Sequence, residues 1–393
     1  MASIRSVEQA DVAGKRVLCR VDFNVPLSEG KVTDDLRIRS ALPTIEYLIA
    51  HGARVILMSH LGRPEGVGYE EKFSLKPVAA HLSEILGKPV AFATDTIGAS
   101  AQETVANLAD GDVCLLENVR FDKREKKNDP EFVRDLAALG EVFVNDAFGA
   151  AHRAHASTAG LADLLPSYAG FLMKKEVETL KGMLDEPEHP FVAILGGSKV
   201  SDKIGVIESL MNKADTIVVG GGMCFTFLLA QGKTIGISLK EDELVETAAK
   251  LLEEAKAKNV KLLLPVDVVV ADKFAADANT AVVSVDEIPD NMMGLDIGPE
   301  SVKLYAAAVA QAKTVFWNGP MGVFEIPAFE AGTKGVAQAV ADAEGQTIIG
   351  GGDSAAAINQ FHMADQMDFI STGGGASMEL VEGKVLPGVA PML

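Results

Sequence analysis

Short runs of Val, Ile and Leu recur along the whole chain with charged, helix-patterned stretches between them, and this alternation constrains the fold more than any other feature. In the first part the runs are RVLCRVDFNV, ARVILMSH, PVAFAT, DVCLLENVR and VFVNDAF; in the second they are FVAILGG, TIVVGGG, LLLPVDVVVAD, TVFWNGP, TIIGGGDS and DFISTGGG. Each run is continuously apolar instead of alternating with polar residues, so both faces of each strand need a cover. Between them LPTIEYLIAHG, LKPVAAHLSEILG and LKEDELVETAAKLLEEAKAKN keep helical spacing. The expected fold class is α/β, with two doubly wound parallel-sheet, Rossmann-like domains.

The segment FLMKKEVETLKGMLDEPEHP places Leu172, Val177, Leu180 and Leu184 among charges and then stops at Pro187 and Pro190, as one helix would. Composition changes across it, which marks an interdomain connector. The expected divisions are a first domain over 1–172, a hinge helix over 173–188, a second domain over 189–376, and a tail, 377–393, that returns to the first domain.

The chain has 393 residues, 48% of them hydrophobic and 23% charged, which suits two or three globular domains and excludes a disordered tail or a disulfide miniprotein. Cys19, Cys114 and Cys224 are far apart and form no CxxC pair, so neither a disulfide framework nor a structural zinc site is expected. The first residues show no signal or transit peptide pattern. The longest uncharged apolar stretch, Thr216 to Gly232, is broken by Gly220, Gly221 and Gly222 and is shorter than the roughly 20 residues a bilayer requires. The reading is a cytoplasmic protein without a membrane span. A net charge of −19 argues against a nucleic-acid partner, so an anionic ligand must be met by a local cluster.

Such clusters are visible in how two residue types divide the chain. All eleven arginines lie between Arg5 and Arg153, whereas every run of two or more glycines lies beyond them. The arginine fork suits carboxylates and phosphates; glycine lets backbone N–H groups approach a phosphate. In open parallel sheets, ligands sit beyond the carboxyl ends of strands. In the first part those positions hold Asp22, Asn24, His60, Arg63, Arg120, Asn145 and Asp146, with Arg37 opening a helix and Arg153 in a nearby loop. Together they suit a small ligand with several negative charges, such as a phosphorylated carboxylic acid. In the second part the loops are Gly196 to Lys203, Gly220 to Met223, Trp317 to Glu325, Gly350 to Ser354 and Ser371 to Ser377, a cradle of N–H groups and helix N-termini for a nucleotide polyphosphate. Lys199 and Lys203, four apart at an expected helix start, should share one face, and Asp353 is the expected Mg²⁺ ligand.

Other motifs weigh less. The GKT at Gly232 to Thr234 has Phe227 where a Walker A loop needs its first glycine, so that class is excluded. Gly350 to Ala355 satisfies GxGxxA, but the ribose-binding acid expected about twenty residues later is replaced by Ile370, so a nicotinamide oxidoreductase is a weaker alternative. His152 and His155 lack a third ligand and are not read as a metal site. A non-enzymatic anion-binding scaffold would keep the arginines without needing Asp353 or Lys199.

The ordered set RVDFNVP, SHLGRP, ENVRF, AHRAHAS, GGSKVSDK, WNGPMGVFE, GGGDS and STGGGAS resembles the phosphoglycerate kinases, from about Arg16 to Gly375. The resemblance implies a glycolytic, hinge-bending, monomeric kinase that moves phosphate reversibly between 1,3-bisphosphoglycerate and ADP, giving 3-phosphoglycerate and ATP, with Mg²⁺, by in-line transfer in a closed two-domain site. It implies 3-phosphoglycerate contacts at Asp22, Asn24, Arg37, His60, Arg63, Arg120 and Arg153. Nucleotide contacts are implied at Lys203, Gly220, Gly221, Asn318, Glu325, Gly351, Gly352, Asp353 and Ser354, and catalytic positions at Arg37, Lys199 and Gly374. Ser354 stands where the family usually has Thr, and Ser198 where it often has Ala; the hydroxyl of Ser354 is retained.

Overall fold

Six parallel strands form the first sheet: β1 (Arg16–Arg20), β4 (Arg54–Met58), β5 (Val90–Phe92), β6 (Val113–Leu115), β7 (Val142–Asn145) and β8 (Ser167–Ala169), in the order β5-β6-β4-β1-β7-β8. The intervening β2 (Leu27–Ser28) and β3 (Lys31–Val32) form a separate hairpin. Helices α1 (Leu36–Ala50), α2 (Lys76–Leu86), α3 (Ala99–Ala106) and α4 (Pro130–Ala137) connect the strands. The computed structural model describes residues 4–393.

Side chains alternate across a strand, and here both sets are buried. Val17, Cys19, Val55 and Leu57 pack with Ile38, Ile45, Leu48, Val78 and Leu82 of α1 and α2. Leu18, Ile56, Met58 and Phe143 point to the opposite core, against Val105 of α3 and Phe132 and Leu136 of α4. Two covered faces explain why the strands carry no polar alternation. Local signals agree: Asp129 caps α4 by accepting from Glu131 N at 3.0 Å, with Pro130 at the first position, and Gly87 ends α2 at φ +62°.

After α5 (Phe171–Asp185), a second parallel sheet contains β9 (Phe191–Leu195), β10 (Thr216–Val219) and β11 (Lys261–Leu263) on one side. On the other side lie β15 (Thr314–Asn318), β16 (Gln346–Gly350) and β17 (Phe369–Ile370), giving the order β11-β10-β9-β15-β16-β17. Its helices are α6 (Ile204–Leu210), α7 (Cys224–Ala230), α8 (Val245–Ala257), α9 (Pro299–Val309), α10 (Ala331–Ala341), α11 (Gly352–Gln360) and α12 (Gly375–Val381). Ile194, Val315, Trp317 and Ile349 share a core with Tyr305, Val309, Val336 and Val340 of α9 and α10.

One strand expectation is corrected, and a small further sheet accompanies the two parallel ones. LLLPVDVVVAD is two strands: Pro265 cannot donate to a ladder, so β11 ends before it and the chain leaves the parallel sheet. The second piece, β12 (Asp267–Ala271), forms an antiparallel sheet with β13 (Thr280–Ser284) and β14 (Met293–Ile297), so this part is not wholly parallel. The chain divides into two compact units. One compact unit runs to Thr179 and takes back Val385–Leu393, and the other is Leu180–Lys384, so the division falls within α5, the helix expected as the connector. Of the expected tail, Val385–Leu393 groups with the first unit, while α12 packs on α6 within the second.

Candidate functional site

In the first unit the strand order reverses beside β1, which pairs with β4 on one side and β7 on the other. The carboxyl ends there form the expected ligand edge. Asp22, following β1, accepts from Arg37 Nη1 of α1 at 2.6 Å. Asn24 Oδ1 accepts from Gly62 N at 2.8 Å, and Arg120 Nη1 donates to Gly62 O at 3.0 Å, so Gly62 ties together the loops after β1, β4 and β6. Gly62 has φ +62°, and a Cβ there would run into the Phe73 ring. Arg63 and Arg153 are exposed; the charge of Arg63 acts on Arg120, and that of Arg153 on His155. His60 is nearly buried, and that burial, with Arg20, Arg120 and Arg37 around it, holds its imidazole well below the ordinary range. The seven anticipated residues therefore share one basic basin.

Sequence reasoning missed its floor. Arg20 and Glu125 are fully buried, with Ser157 between them, and burial and the nearby Arg120 push the His155 imidazole down to about 4. The available signal was Arg20 itself, a charge within an apolar strand, which requires buried partners.

In the second unit the order reverses at β9 and β15. A cavity of about 280 Å³ opens at their carboxyl ends, lined by Lys199, Lys203, Asn318, Gly351, Gly352, Asp353, Ser354 and Gly374. Asn318 organises it: its Nδ2 donates to Gly350 O at 2.7 Å, and its Oδ1 accepts from Lys203 Nζ. Burial lowers the Lys203 ammonium, against the opposing pull of Asp202 and Asp353. Ser354 is buried and its hydroxyl accepts from Gly319 N at 2.6 Å, fastening the loop after β15 to α11. Gly351 precedes α11 with φ +89°, and a Cβ there would collide with Asn318 Nδ2. Gly374, at φ +54°, precedes α12, where an added Cβ would meet nothing within 4 Å.

The expectation that Lys199 and Lys203 share a helix face is corrected. The helix begins only at Ile204, with Lys203 as its cap, so 3.6-residue spacing does not relate the two. The loop is set instead by Glu241, whose carboxylate accepts from Val200 N at 2.6 Å, Ser201 N at 3.1 Å and Ser201 Oγ at 2.5 Å.

A neighbouring cavity of about 730 Å³ has apolar walls from Phe225, Leu239, Leu295, Met321 and Val323, with Gly221, Glu325 and Asp353 at its margin. Sequence reasoning did not foresee it, because its walls come from segments far apart in the chain. Gly220 lines neither cavity; it is buried, where a Cβ would meet Met321 Sδ. Asp296 also borders the larger space, and burial pushes its carboxyl up to about 7 although Gly332 N donates to it at 2.6 Å. The GKT lysine, Lys233, pairs with Asp286 and takes no part in either cavity.

The first unit thus presents a basic basin at its switch point, and the second a glycine-lined cradle beside an apolar slot at its own. The phosphoglycerate kinase family model matches residues 7–384. A protein named phosphoglycerate kinase from Herpetosiphon aurantiacus is 60% identical over 97% of this chain and 98% of the relative. One named phosphoglycerate kinase, cytosolic, from Nicotiana tabacum is 58% identical over 98% of this chain and 97% of its own. Among solved structures, that of phosphoglycerate kinase from Coxiella burnetii superposes with a TM-score of 0.93 at 46% identity, covering 99% of this chain and 98% of that one. With likeness of this depth over nearly its whole length, the chain belongs to the phosphoglycerate kinase family.

Proposed function

We propose that the basin of the first unit holds 3-phosphoglycerate and the cradle of the second holds the nucleotide phosphates, in the family's reversible transfer between 1,3-bisphosphoglycerate and ADP. The observation that carries this division is the 280 Å³ cavity at the β9/β15 switch point, where Lys199, Lys203 and two helix starts converge. Backbone N–H groups and lysines suit phosphates, and the adjoining apolar slot suits a nucleoside.

The chemistry asks little of acid–base groups. When ATP is the donor, the nucleophile is a carboxylate already ionised at neutral pH, so no general base is needed. The chain's part is to align donor and acceptor and to surround the three equatorial oxygens with positive charge, which Arg37 and Lys199 can supply. The setting fits Mg²⁺: Asp353 is an exposed carboxylate lining the cradle, with Asp202 on the same cavity, and Mg²⁺ commonly takes one or two carboxylates together with substrate phosphates. Asp353 would hold the ion, which when bound neutralises phosphate charge. Because the acid and the nucleotide are assigned to different units, transfer needs a hinge-bent state that brings both holders to one phosphoryl group and keeps water away. We assign the working form to a cytoplasmic monomer.

A coupled assay with ADP and 1,3-bisphosphoglycerate tests the reading. Turnover by the native chain, and its loss in Asp353→Ala with 3-phosphoglycerate binding retained, are expected; turnover unaffected by that substitution refutes the nucleotide assignment. Small-angle scattering with neither ligand, each ligand and both should show compaction greatest with both, and an identical radius of gyration in all four samples rules out the hinge.

A further inference from the structure

Arg20 ends β1 with a charge in a strand buried on both faces, and Glu125 is buried just as completely. Ser157 joins them. Arg20 Nε donates to Ser157 Oγ at 2.8 Å, Ser157 Oγ donates to Glu125 Oε1 at 2.5 Å, and Ser157 N donates to Glu125 Oε2 at 3.0 Å. A hydroxyl that accepts from a guanidinium keeps its own proton for the carboxylate, so this chain of bonds has one direction. At its other end Arg20 Nη2 lies 3.1 Å from His60 Nδ1. Guanidinium has donors only, so Nδ1 must accept and the imidazole proton must reside on Nε2. The cations facing His60 are Arg20, Arg120 and Arg37, with His155 beside them, and all oppose a second proton on the ring.

We propose that Glu125 and Ser157 are positioning residues of the basin: acting through Arg20, they hold His60 as a single neutral tautomer whose Nε2–H is the donor offered to the anionic ligand. The proposal deepens, and rests on, the assignment of His60 to the 3-phosphoglycerate site. A neutral donor adds a directed hydrogen bond without adding a further like charge to the arginines. The contribution of His60 to binding is therefore constant where an ordinary imidazole titrates.

Long-range ¹H–¹⁵N spectra of the ligand-free full chain, with His60 identified by His60→Gln, test this. A protonated Nε2 and an unprotonated, hydrogen-bonded Nδ1, unchanged from pH 6 to 8, are expected. In Ser157→Ala the two tautomers should mix, and KM for 3-phosphoglycerate should rise by about tenfold with kcat little moved, as loss of a charge-assisted hydrogen bond would predict. Ser157→Thr, which restores the hydroxyl, should recover both. If Ser157→Ala fails to fold, Glu125→Gln and the native spectrum decide. A proton on Nδ1, a doubly protonated ring at pH 7, or tautomers unmoved in folded Ser157→Ala overturns the proposal. Should the tautomer be as stated but 3-phosphoglycerate leave the His60 signals unmoved, the relay stands and the substrate assignment of His60 falls.

Discussion

Arg37 and Arg63 carry the same charge in the same basin, yet their surroundings differ. Arg37 is half-exposed and anchored at 2.6 Å to Asp22, which fixes where its guanidinium can reach. Arg63 is exposed in the loop after β4. If Arg63 holds the acid, Arg63→Ala should weaken 3-phosphoglycerate binding by about 1.5–3 kcal/mol with a smaller change in kcat. If Arg37 meets the transferring phosphoryl group, Arg37→Ala should lower kcat by about 10³-fold. Steady-state kinetics separates them, and a kcat effect at Arg63 with a KM effect at Arg37 would reverse the assignment. The position of both at the carboxyl edge was legible, Arg63 from the loop after a strand and Arg37 from the start of a helix. Arg20 and Glu125 were not, since 105 positions separate them in the chain and only the fold places Ser157 between them.

At the scale of elements, the strand-to-helix turns of the second unit can be tested one glycine at a time. Gly351 sits at φ +89° against Asn318, whereas nothing lies within 4 Å of a Cβ added at Gly352, the first residue of α11. Gly351→Ala should therefore cost about 1–3 kcal/mol, because φ +89° with ψ 148° is a backbone region essentially only glycine adopts, and should weaken nucleotide binding by displacing Asn318 from Lys203. Gly352→Ala should leave the melting temperature of the second unit almost unchanged; equal melting temperatures for the two variants would refute the strained turn. These turns were readable from glycine runs after apolar strands. The antiparallel sheet was not, because LLLPVDVVVAD looks like one strand until the proline is weighed, and MGLDI carries too weak a pattern to announce β14. That strand brings Asp296 into a buried place. Its pKa is raised from 3.8 to about 7, so the native state holds the proton more tightly than the unfolded chain. The stabilisation is complete below about pH 4 and is lost as pH rises through 7. Calorimetry from pH 5 to 8 should show native stability falling relative to Asp296→Asn, and parallel pH curves for the two would exclude the shift.

For the whole molecule, the decisive fact is that the first unit is not continuous in sequence. Val385–Leu393 belongs to it, although the chain has meanwhile built the second unit. The segment is fastened by Gly388 N donating to Ala151 O at 2.8 Å, Asn145 Nδ2 donating to Gly388 O at 3.0 Å and Arg5 N donating to Met392 O at 2.7 Å. Leu386, Val389 and Met392 are buried. A return of the tail was expected from sequence, but its start could not be read, since Gly375–Val381 and the residues after it are both ordinary helix-and-loop composition. Burial of three such side chains, each contributing about 1.5–3 kcal/mol, means that a fragment ending near Leu172 lacks part of its own core. Deleting Val385–Leu393 should therefore lower the calorimetric transition of the first unit and weaken 3-phosphoglycerate binding. Because Asn145 closes β7 directly before Asp146, the damage should reach the carboxyl edge of the sheet while the transition and nucleotide affinity of the second unit stay as they were. A truncated chain whose two transitions both match the native protein, or in which only nucleotide binding is lost, would show that the tail is not part of the first unit's core.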